Sequence, residues 1–298
     1  MSQIGFIGLG NMGGPMVSNL IQDGHKVKAY DIIPEAIDRA VNKGATKANS
    51  AEETIIDAEF VITMLPAGEH VRSVYLEDNK ILYSVSPKTV LIDSSTIDVI
   101  TARQVMEVAA QRGIEMIDAP VSGGVGGADA GTLTFMCGGK IEAYDKAESI
   151  LKSMGKNIFH AGDAGSGQAA KVCNNLMLAI QMIGVSEGFL LAEKLDLDIQ
   201  KLWDIASTAT SKCWSMTDYC PVPGPVPTSP ANKDYSAGFT VAMMLKDLNL
   251  SQVAAKNNGL NTPLGAKATE LYNTFSQQED NSELDFSAII KQISNINK

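Results

Sequence analysis

The stretch IGFIGLGNMGGPM, residues 4–16, decides the fold of this 298-residue chain. It begins as an apolar, strand-like run, after which Gly8, Gly10 and Gly13 follow in the spacing GxGxxG. Pro15 then suits the first turn of a helix. A strand, a glycine turn and a helix in this order are typical of a dinucleotide-binding unit. The glycines permit a tight turn, close approach of a pyrophosphate and close packing of the helix on the strand.

The segment after the first two glycines continues with Asn11 and Met12. The N-terminus of a helix that begins there offers backbone N–H groups and a positive dipole end to phosphates. The next strand-like run ends at Asp31, where an acidic side chain accepts hydrogen bonds from both hydroxyls of an adenosine ribose. The two isoleucines that follow supply no arginine for a 2′-phosphate. The pattern therefore predicts NAD, and not NADP, as the cofactor.

Short β-branched runs alternate with helical patterns through the first half of the chain, which predicts βαβ units and a mostly parallel sheet. The predicted strands are 4–8, 27–31, 60–64, 90–93, 115–118, 132–136 and 158–160, and the predicted helices include 12–22, 34–42 and 102–112. A long helical pattern then runs from about residue 168 to 195. Only helical periodicity follows, interrupted by PVPGPVPTSP at 221–230, which cannot lie inside a helix.

These patterns predict an α/β fold with a Rossmann-type, mostly parallel sheet, a long connecting helix and an all-α domain. The predicted boundaries are 1–163 for the dinucleotide-binding domain, 164–195 for the connecting helix and 196–298 for a helical domain that binds substrate and oligomerises. Ligand sites are expected at domain junctions and at the carboxyl ends of parallel strands.

The composition narrows the class of partner. The chain has 24 Lys and Arg against 34 Asp and Glu, a net charge of −10, which disfavours nucleic acid. No apolar run approaches the roughly 20 residues of a membrane span, so no membrane partner is expected. Scattered histidines and cysteines without a CxxC pattern predict no metal site. The strand-like start leaves no room for a leader, so the expected location is the cytoplasm, or the mitochondrial matrix if a presequence has been removed.

Two further strand ends carry side chains suited to the cofactor crevice. Leu65 and Pro66 follow the predicted strand at 60–64 and are expected along the adenosine or nicotinamide ribose. Thr96 follows the strand at 90–93 and offers a hydroxyl near the nicotinamide. An ordinary βα turn is the alternative for each of them.

The segment IDAPVSGGVGGADAG, residues 117–131, places Ser122 and a run of glycines directly after a strand. Glycine-rich backbone forms an N–H concavity that suits an anion. Because the pyrophosphate binds elsewhere, the natural anion is a substrate carboxylate. A flexible loop is the alternative.

The stretch GQAAKVCNNLMLAIQMIG, residues 167–184, predicts a helix that is apolar on nearly every side but carries Lys171, Asn174 and Asn175 on one face. A buried lysine is rare unless it is paired or used. Oxidation of an alcohol by NAD needs a group that takes the hydroxyl proton, and Lys171 is the candidate base, with Asn175 to orient the substrate. Burial would lower the pKa of such a lysine, and a nearby cation such as Lys246 would lower it further. The alternative roles of Lys246 are a contact with the nicotinamide or a contact with the substrate carboxylate.

Four motifs, in this order and spacing, resemble the β-hydroxyacid dehydrogenase family: GFIGLGNMGGPM, DAPVSGGVGGA, GSGQAAKVCNN and KDL. The resemblance covers essentially the whole chain. It implies the fold described above, an NAD(P)-linked oxidation of a small 3-hydroxy acid, and Lys171 as the catalytic residue. It further implies substrate contacts at Ser122, Gly123, Gly124 and Asn175, and positions beside the cofactor for Thr96 and Lys246. A homodimer or homotetramer is also implied.

Within this family, the segment KCWSMTDYCPVPGPVPTSPANKDYSAGF, residues 212–239, resembles members that oxidise a methyl-bearing 3-hydroxy acid in valine catabolism. The resemblance puts Trp214 near that substrate, and a domain-core aromatic is the alternative. Sister activities on tartronate semialdehyde, on succinate semialdehyde or 4-hydroxybutyrate, and on serine stay open, as does a dinucleotide-binding protein without turnover. Residues 180–298 contain no arginine, which argues against a sugar phosphate.

Overall fold

A computed structural model describes residues 1–77, 80–278 and 280–296. Its internal contacts divide the chain into two compact units, Met1–Lys171 (unit 1) and Val172–Lys298 (unit 2). This division falls inside a long helix, whereas the sequence-based boundaries were set on either side of it; those boundaries stay a prediction.

Unit 1 is built on one sheet. Its strands are β1 (Gln3–Ile7), β2 (Lys26–Tyr30), β3 (Thr46–Lys47), β4 (Phe60–Thr63), β5 (Val90–Asp93), β6 (Glu115–Asp118), β7 (Val121–Ser122), β8 (Leu133–Gly138) and β9 (Gly155–Gly162). The strand order is β3-β2-β1-β4-β5-β6-β8-β7, and β9 pairs with β8. The pairs from β3 to β6 are parallel, whereas β6 and β7 run antiparallel to β8. The predicted mostly parallel sheet is confirmed.

The helices of unit 1 connect these strands. They are α1 (Gly13–Gln22), α2 (Pro34–Asn42), α3 (Ala51–Thr54), α4 (Gly68–Leu76), α5 (Ile81–Ser84), α6 (Val99–Gln111), α7 (Gly124–Asp129) and α8 (Ile141–Lys152), and α9 (Ser166–Lys194) begins here and continues into unit 2. Helix α6 begins three residues before its predicted start because the side chain of Asp98 caps it, accepting a hydrogen bond from Thr101 N–H at 2.7 Å. The short strands β3 and β7 were missed because two residues show no alternation.

Apolar residues fill both faces of the sheet, as expected where helices cover both sides. One cluster contains Phe6, Met16 and Phe135, and a second contains Tyr75 and other residues from the opposite side of the sheet. The buried polar residues within the strands, Thr63, Asp93 and Asp118, each lie at a strand end.

Unit 2 is helical. It contains the rest of α9 and then α10 (Ile199–Ala206), α11 (Trp214–Thr217), α12 (Val241–Asn257), α13 (Pro263–Ser276) and α14 (Ile289–Ile296), with 3₁₀ turns at Pro230–Lys233, Asn281–Glu283 and Phe286–Ala288. Its main core packs α9, α12 and α13 around buried residues such as Met182, Met244 and Tyr272. The proline-rich segment 221–230 is irregular up to the 3₁₀ turn that begins at Pro230, as predicted.

Helix α9 is long and apolar enough to cross a membrane, by length and composition alone. The expectation that no apolar run approaches that length is therefore wrong for this helix. Such a helix is weak evidence of a membrane span, because the core helix of a soluble protein passes the same test, and 39% of its most apolar window is buried. Ala179, Met182 and Phe189 belong to the apolar cores of unit 2. The absence of a membrane partner stays a prediction.

Candidate active site

The glycine turn after β1 has a separate structural reason for each glycine. Gly8 has a positive φ of 95°, and a Cβ there would lie 2.2 Å from the carbonyl oxygen of Met64. A Cβ on Gly13 would lie 1.9 Å from the carbonyl oxygen of Gly8. At exposed Gly10, by contrast, no heavy atom of the described residues other than Gly10 and its two chain neighbours lies within 4 Å of the Cβ position.

The open side at Gly10 is what close approach of a pyrophosphate requires. Helix α1 begins directly after Met12, whose side chain carries no oxygen to cap the amides of the first turn. Asn11 is exposed beside it. The residues present therefore fit the phosphates of a dinucleotide.

Asp31 lies at the end of β2 and ties the glycine turn to that strand. Its Oδ2 accepts a hydrogen bond from Leu9 N–H at 2.6 Å, and its Oδ1 accepts one from Ile33 N–H at 2.8 Å. Each carboxylate oxygen retains a second lone pair, which leaves acceptor capacity for ribose hydroxyls. Ile32 beside it is 80% exposed and presents no positive charge.

The turns after β4 and β5 are joined through the buried carboxylate of Asp93, which the sequence analysis did not single out. Its Oδ1 accepts hydrogen bonds from the hydroxyls of Ser95 at 2.6 Å and Thr63 at 2.7 Å. Tyr75 OH lies 3.0 Å from Thr63 Oγ1 and donates to it, because the Thr63 proton points to Asp93. Ser95 Oγ in turn accepts from Leu65 N–H at 2.9 Å. Burial raises the pKa of Asp93 to about 6, against these hydrogen bonds, which lower it.

Three predicted cofactor contacts lie on these same two turns. Leu65 is half-buried and Pro66 exposed after β4, and Thr96 is half-buried after β5. Since β4 and β5 are parallel neighbours, the structure brings their carboxyl ends together. The contacts of these residues with a cofactor stay a prediction.

The glycine-rich segment after β6 folds into a short strand and a short helix. Ser122 ends β7 and pairs with Thr134 of β8. Gly123 and Gly124 have positive φ values of 137° and 62°, a backbone conformation that side chains disfavour. These glycines are thus needed for the turn itself, and their predicted role in binding a carboxylate is additional to that need.

Lys171 is the last residue of unit 1, and its side chain is buried in helix α9, with the residue 7% exposed. Two buried residues that sequence analysis passed over, Asp118 and Gln168, hold the first turn of this helix. Burial raises the pKa of Asp118, and hydrogen bonds from the backbone amides of Gln168 and Gly165 oppose that rise.

In unit 2, Asn175 belongs to a cluster of polar side chains. Its Nδ2 donates to Oδ2 of Asp247, and its Oδ1 accepts from Asn174 Nδ2 at 3.0 Å. Lys246 Nζ forms an ion pair with Asp247 Oδ1 at 3.3 Å, without hydrogen-bond geometry. Lys246 therefore faces the buried carboxylate of Asp247, a residue that sequence analysis did not single out.

Trp214 begins α11 and is 46% exposed. Its ring stacks on Tyr219 with centroids 4.6 Å apart, and Tyr219 stacks on Phe286. The hydroxyl of Tyr219 donates to Asp285 at 2.8 Å. One part of the indole thus packs on the core of unit 2 and the rest faces outward, so its predicted contact with substrate stays a prediction.

A common signal marks the carboxylates in unit 1 that were passed over. Asp93 and Asp118 each end a buried strand, in VLID and EMID, and they are register partners in the sheet. An acidic residue that closes an apolar strand was visible in the sequence. Its hydrogen-bond partners were not.

Comparison with known proteins identifies the family. Residues 3–162 match the model of the NAD binding domain of 6-phosphogluconate dehydrogenase, and residues 165–293 match the model described as NAD-binding of NADP-dependent 3-hydroxyisobutyrate dehydrogenase. A probable 3-hydroxyisobutyrate dehydrogenase of Mycobacterium tuberculosis is 49% identical over 97% of both chains.

Two further relatives agree. An NAD-dependent L-serine dehydrogenase of Pseudomonas aeruginosa is 44% identical over 98% of this chain and 97% of its own. The structure of the Mycobacterium tuberculosis 3-hydroxyisobutyrate dehydrogenase with L-serine has a TM-score of 0.93 at 48% identity, covering 98% of this chain and 99% of that one. The dinucleotide turn, the helical second unit and this full-length similarity place the chain in the 3-hydroxyisobutyrate dehydrogenase branch of the β-hydroxyacid dehydrogenase family.

Proposed function

We propose that this chain oxidises 3-hydroxyisobutyrate to methylmalonate semialdehyde with NAD, a step of valine catabolism, with Lys171 as the general base. The observation that carries the proposal is a buried lysine in an apolar helix of a chain 49% identical, over 97% of its length, to a probable 3-hydroxyisobutyrate dehydrogenase. A buried lysine is unusual unless it is paired or used.

The proposed mechanism gives each group of the reaction a named residue. NAD, when bound, supplies the hydride acceptor. Lys171 Nζ takes the hydroxyl proton of the primary alcohol as the hydride leaves its carbon, so that the alcohol becomes an aldehyde. Asn175, with its amide held by Asp247, orients the substrate, and the exposed part of Trp214 faces the methyl group.

The remaining predicted residues hold the two ligands. The substrate carboxylate is assigned to Ser122, Gly123 and Gly124. The cofactor is assigned to Gly8, Gly10, Asn11, Met12, Gly13, Asp31, Leu65, Pro66, Thr96 and Lys246. The proposed step ends at this aldehyde and needs no decarboxylation.

L-Serine is the second candidate substrate. It is favoured by the P. aeruginosa relative named for that activity and by the M. tuberculosis structure with L-serine. Serine and 3-hydroxyisobutyrate each have a primary alcohol whose carbon is separated from the carboxylate by one carbon. On that middle carbon serine carries an ammonium group and 3-hydroxyisobutyrate carries a methyl group. A site that prefers the methyl group leaves the ammonium without a partner, at a cost in affinity.

The test follows NADH absorbance with NAD and S-3-hydroxyisobutyrate, beside R-3-hydroxyisobutyrate, L-serine, D-glycerate and 4-hydroxybutyrate, with NADP in place of NAD as a cofactor control. We expect the highest kcat/KM for S-3-hydroxyisobutyrate with NAD. A higher value for L-serine moves the chain to the second candidate. No turnover of any substrate, with NAD binding intact, favours the dinucleotide-binding protein without turnover.

We also propose a homodimer or homotetramer in the cytoplasm, with the mitochondrial matrix as the alternative location and neither nucleic acid nor membrane as a partner. The family resemblance and the net charge of −10 support this proposal. Light scattering after gel filtration measures the assembly, and cell fractionation measures the location.

A further inference from the structure

The start of helix α9 is held by a carboxylate from another element. Asp118, the last residue of β6 and 1% exposed, accepts two backbone hydrogen bonds, one on each oxygen. Oδ1 accepts from Gly165 N–H and Oδ2 from Gln168 N–H, both at 2.8 Å. The first amides of a helix have no partner within the helix, so this single side chain satisfies two of the groups at the helix start.

A second tie runs from the helix to the turn after β5. The fully buried side chain of Gln168 donates from Nε2 to the carbonyl oxygen of Ser95 at 2.7 Å and accepts at Oε1 from Ile97 N–H at 3.1 Å. Ser95 is in turn bonded to Asp93. Gln168 is three residues before Lys171, so the two side chains lie on neighbouring positions of one helix face.

The backbone at the start of helix α9 also packs closely against neighbouring strands. A Cβ on Gly167 would lie 2.2 Å from the carbonyl oxygen of Met136 and 2.8 Å from that of Asp118. A Cβ on Gly138, at the end of β8, would lie 2.4 Å from Asp118 Oδ1 and 2.7 Å from the amide nitrogen of Ser166. The helix start therefore lies directly on the ends of β6 and β8, at Asp118 and Gly138.

We propose that Asp118 is a positioning residue for Lys171, which it holds at the site of proton transfer by fixing the first turn of α9 together with Gln168. The inference rests on the proposed role of Lys171 as general base. Asp118 does not touch the reacting atoms in this scheme. Its loss lets the first turn shift, and a displacement of about 1 Å at a catalytic group costs on the order of 100-fold in rate.

The test is a double-mutant cycle of Asp118→Asn and Lys171→Ala, with single-turnover NADH formation as the readout for the slow variants. Asparagine keeps the size of the side chain but places an NH₂ group where an oxygen accepts a backbone N–H. In the Lys171 background we expect Asp118→Asn to lower kcat about 10- to 100-fold. In the Lys171→Ala background the same change is expected to alter the rate by less than about twofold.

Two controls separate positioning from unfolding. The Kd for NAD is expected to stay within about twofold of the wild-type value in Asp118→Asn, because the glycine turn and Asp31 are untouched. The matched control is Asp163→Asn, which changes an exposed carboxylate three residues before the same helix, and its kcat is expected to equal that of the wild type.

Each outcome has a distinct meaning. An equal fold-loss from Asp118→Asn in both backgrounds, or full activity of that variant, overturns the positioning role while Lys171 remains the base. A Lys171→Ala variant with wild-type turnover overturns the proposed function itself. A loss of NAD binding in Asp118→Asn shows that the residue supports unit 1 as a whole, which also overturns the positioning role.

Discussion

Two sets of candidate site residues, one in each unit, are held in different ways. In unit 1, Asp31 and Asp118 are held by main-chain amides, with donor distances of 2.6–2.8 Å. In unit 2, Asn175 and Asp247 hold each other, and Asn174 and Lys246 complete the cluster through their own side chains.

The difference follows from where a protein backbone has unused donors. Turns after strands and the first turns of helices leave N–H groups unpaired, and carboxylates at strand ends satisfy them. Inside a long helix each N–H is already bonded to the carbonyl four residues earlier. The amide of Asn175, buried in such a helix, pairs instead with the side chains of Asp247 and Asn174.

Lys171→Ala tests the last residue of unit 1, and it should produce the largest effect. We expect kcat to fall by about 10²- to 10⁴-fold, the contribution of a general base, while the Kd for NAD stays unchanged. Steady-state kinetics and NAD titration measure the two quantities. Lys194→Ala, at the exposed end of the same helix, is the matched control and should keep wild-type kcat. A loss of NAD affinity equal to the loss of rate would assign Lys171 to cofactor binding.

Asp93→Asn tests whether the hydrogen bonds that Asp93 accepts in unit 1 compensate for the burial of its charge. Because burial raises the pKa of Asp93 to about 6, ionisation favours the unfolded chain. We therefore expect the wild type to lose stability relative to Asp93→Asn as pH rises from about 4 to about 6. The measured quantity is the free energy of unfolding of the wild type minus that of the variant. The total fall should be about 3 kcal/mol, with a plateau above that window.

Urea unfolding at a series of pH values from 5 to 8 covers the upper part of this window. A difference that rises with pH would mean that the hydroxyls of Ser95 and Thr63 outweigh burial. It would place Asp93 among the carboxylates that stabilise the fold when charged.

Two glycines in unit 1 should respond differently to the same substitution, one in stability and the other in affinity for NAD. Gly13→Ala puts a methyl group 1.9 Å from a backbone oxygen, and we expect a loss of up to about 3 kcal/mol in stability. Gly10→Ala meets no described atom within 4 Å, so its stability should change by less than about 0.5 kcal/mol while its affinity for NAD falls. Thermal unfolding and NAD titration of both variants measure this. Equal stability losses would show that Gly10 serves the turn and not the ligand.

Asn175→Ala tests the side-chain cluster of unit 2. Removal of the amide takes a donor from the buried carboxylate of Asp247, at a cost of about 2 kcal/mol. Asn174→Ala removes only a half-buried partner and should cost less than about 1 kcal/mol. Urea unfolding measures both losses. Equal losses would show that the pairing of Asn175 with Asp247 stabilises unit 2 no more than the pairing of Asn174 with Asn175.

Much of unit 1 could be predicted because its signals are local. The strand, glycine turn and helix lie within residues 4–16, and Asp31 closes the next strand. The bounds of the long strands agree with the structure to within a few residues. What escaped prediction were two-residue strands and the helix cap at Asp98, which depend on single hydrogen bonds and not on a repeating pattern.

The polar partners were harder to predict than the polar residues. Lys171, Asn174 and Asn175 stand out because they interrupt an apolar helix. Gln168 lies in the first turn of the same helix, and nothing in the sequence shows the two hydrogen bonds that it makes to residues 95 and 97, because both partners lie more than 70 residues away along the chain.

The sequence by itself determined the dinucleotide turn, the parallel sheet and the buried lysine, because each depends on residues that are close together along the chain. Only the tertiary structure decided that Asp118 would hold the start of α9, 50 residues away at Gln168, and that Asp247 would hold Asn175, 72 residues away. A buried polar group must be paired, but periodicity along a chain does not reveal which distant group the packing of the elements will bring to it.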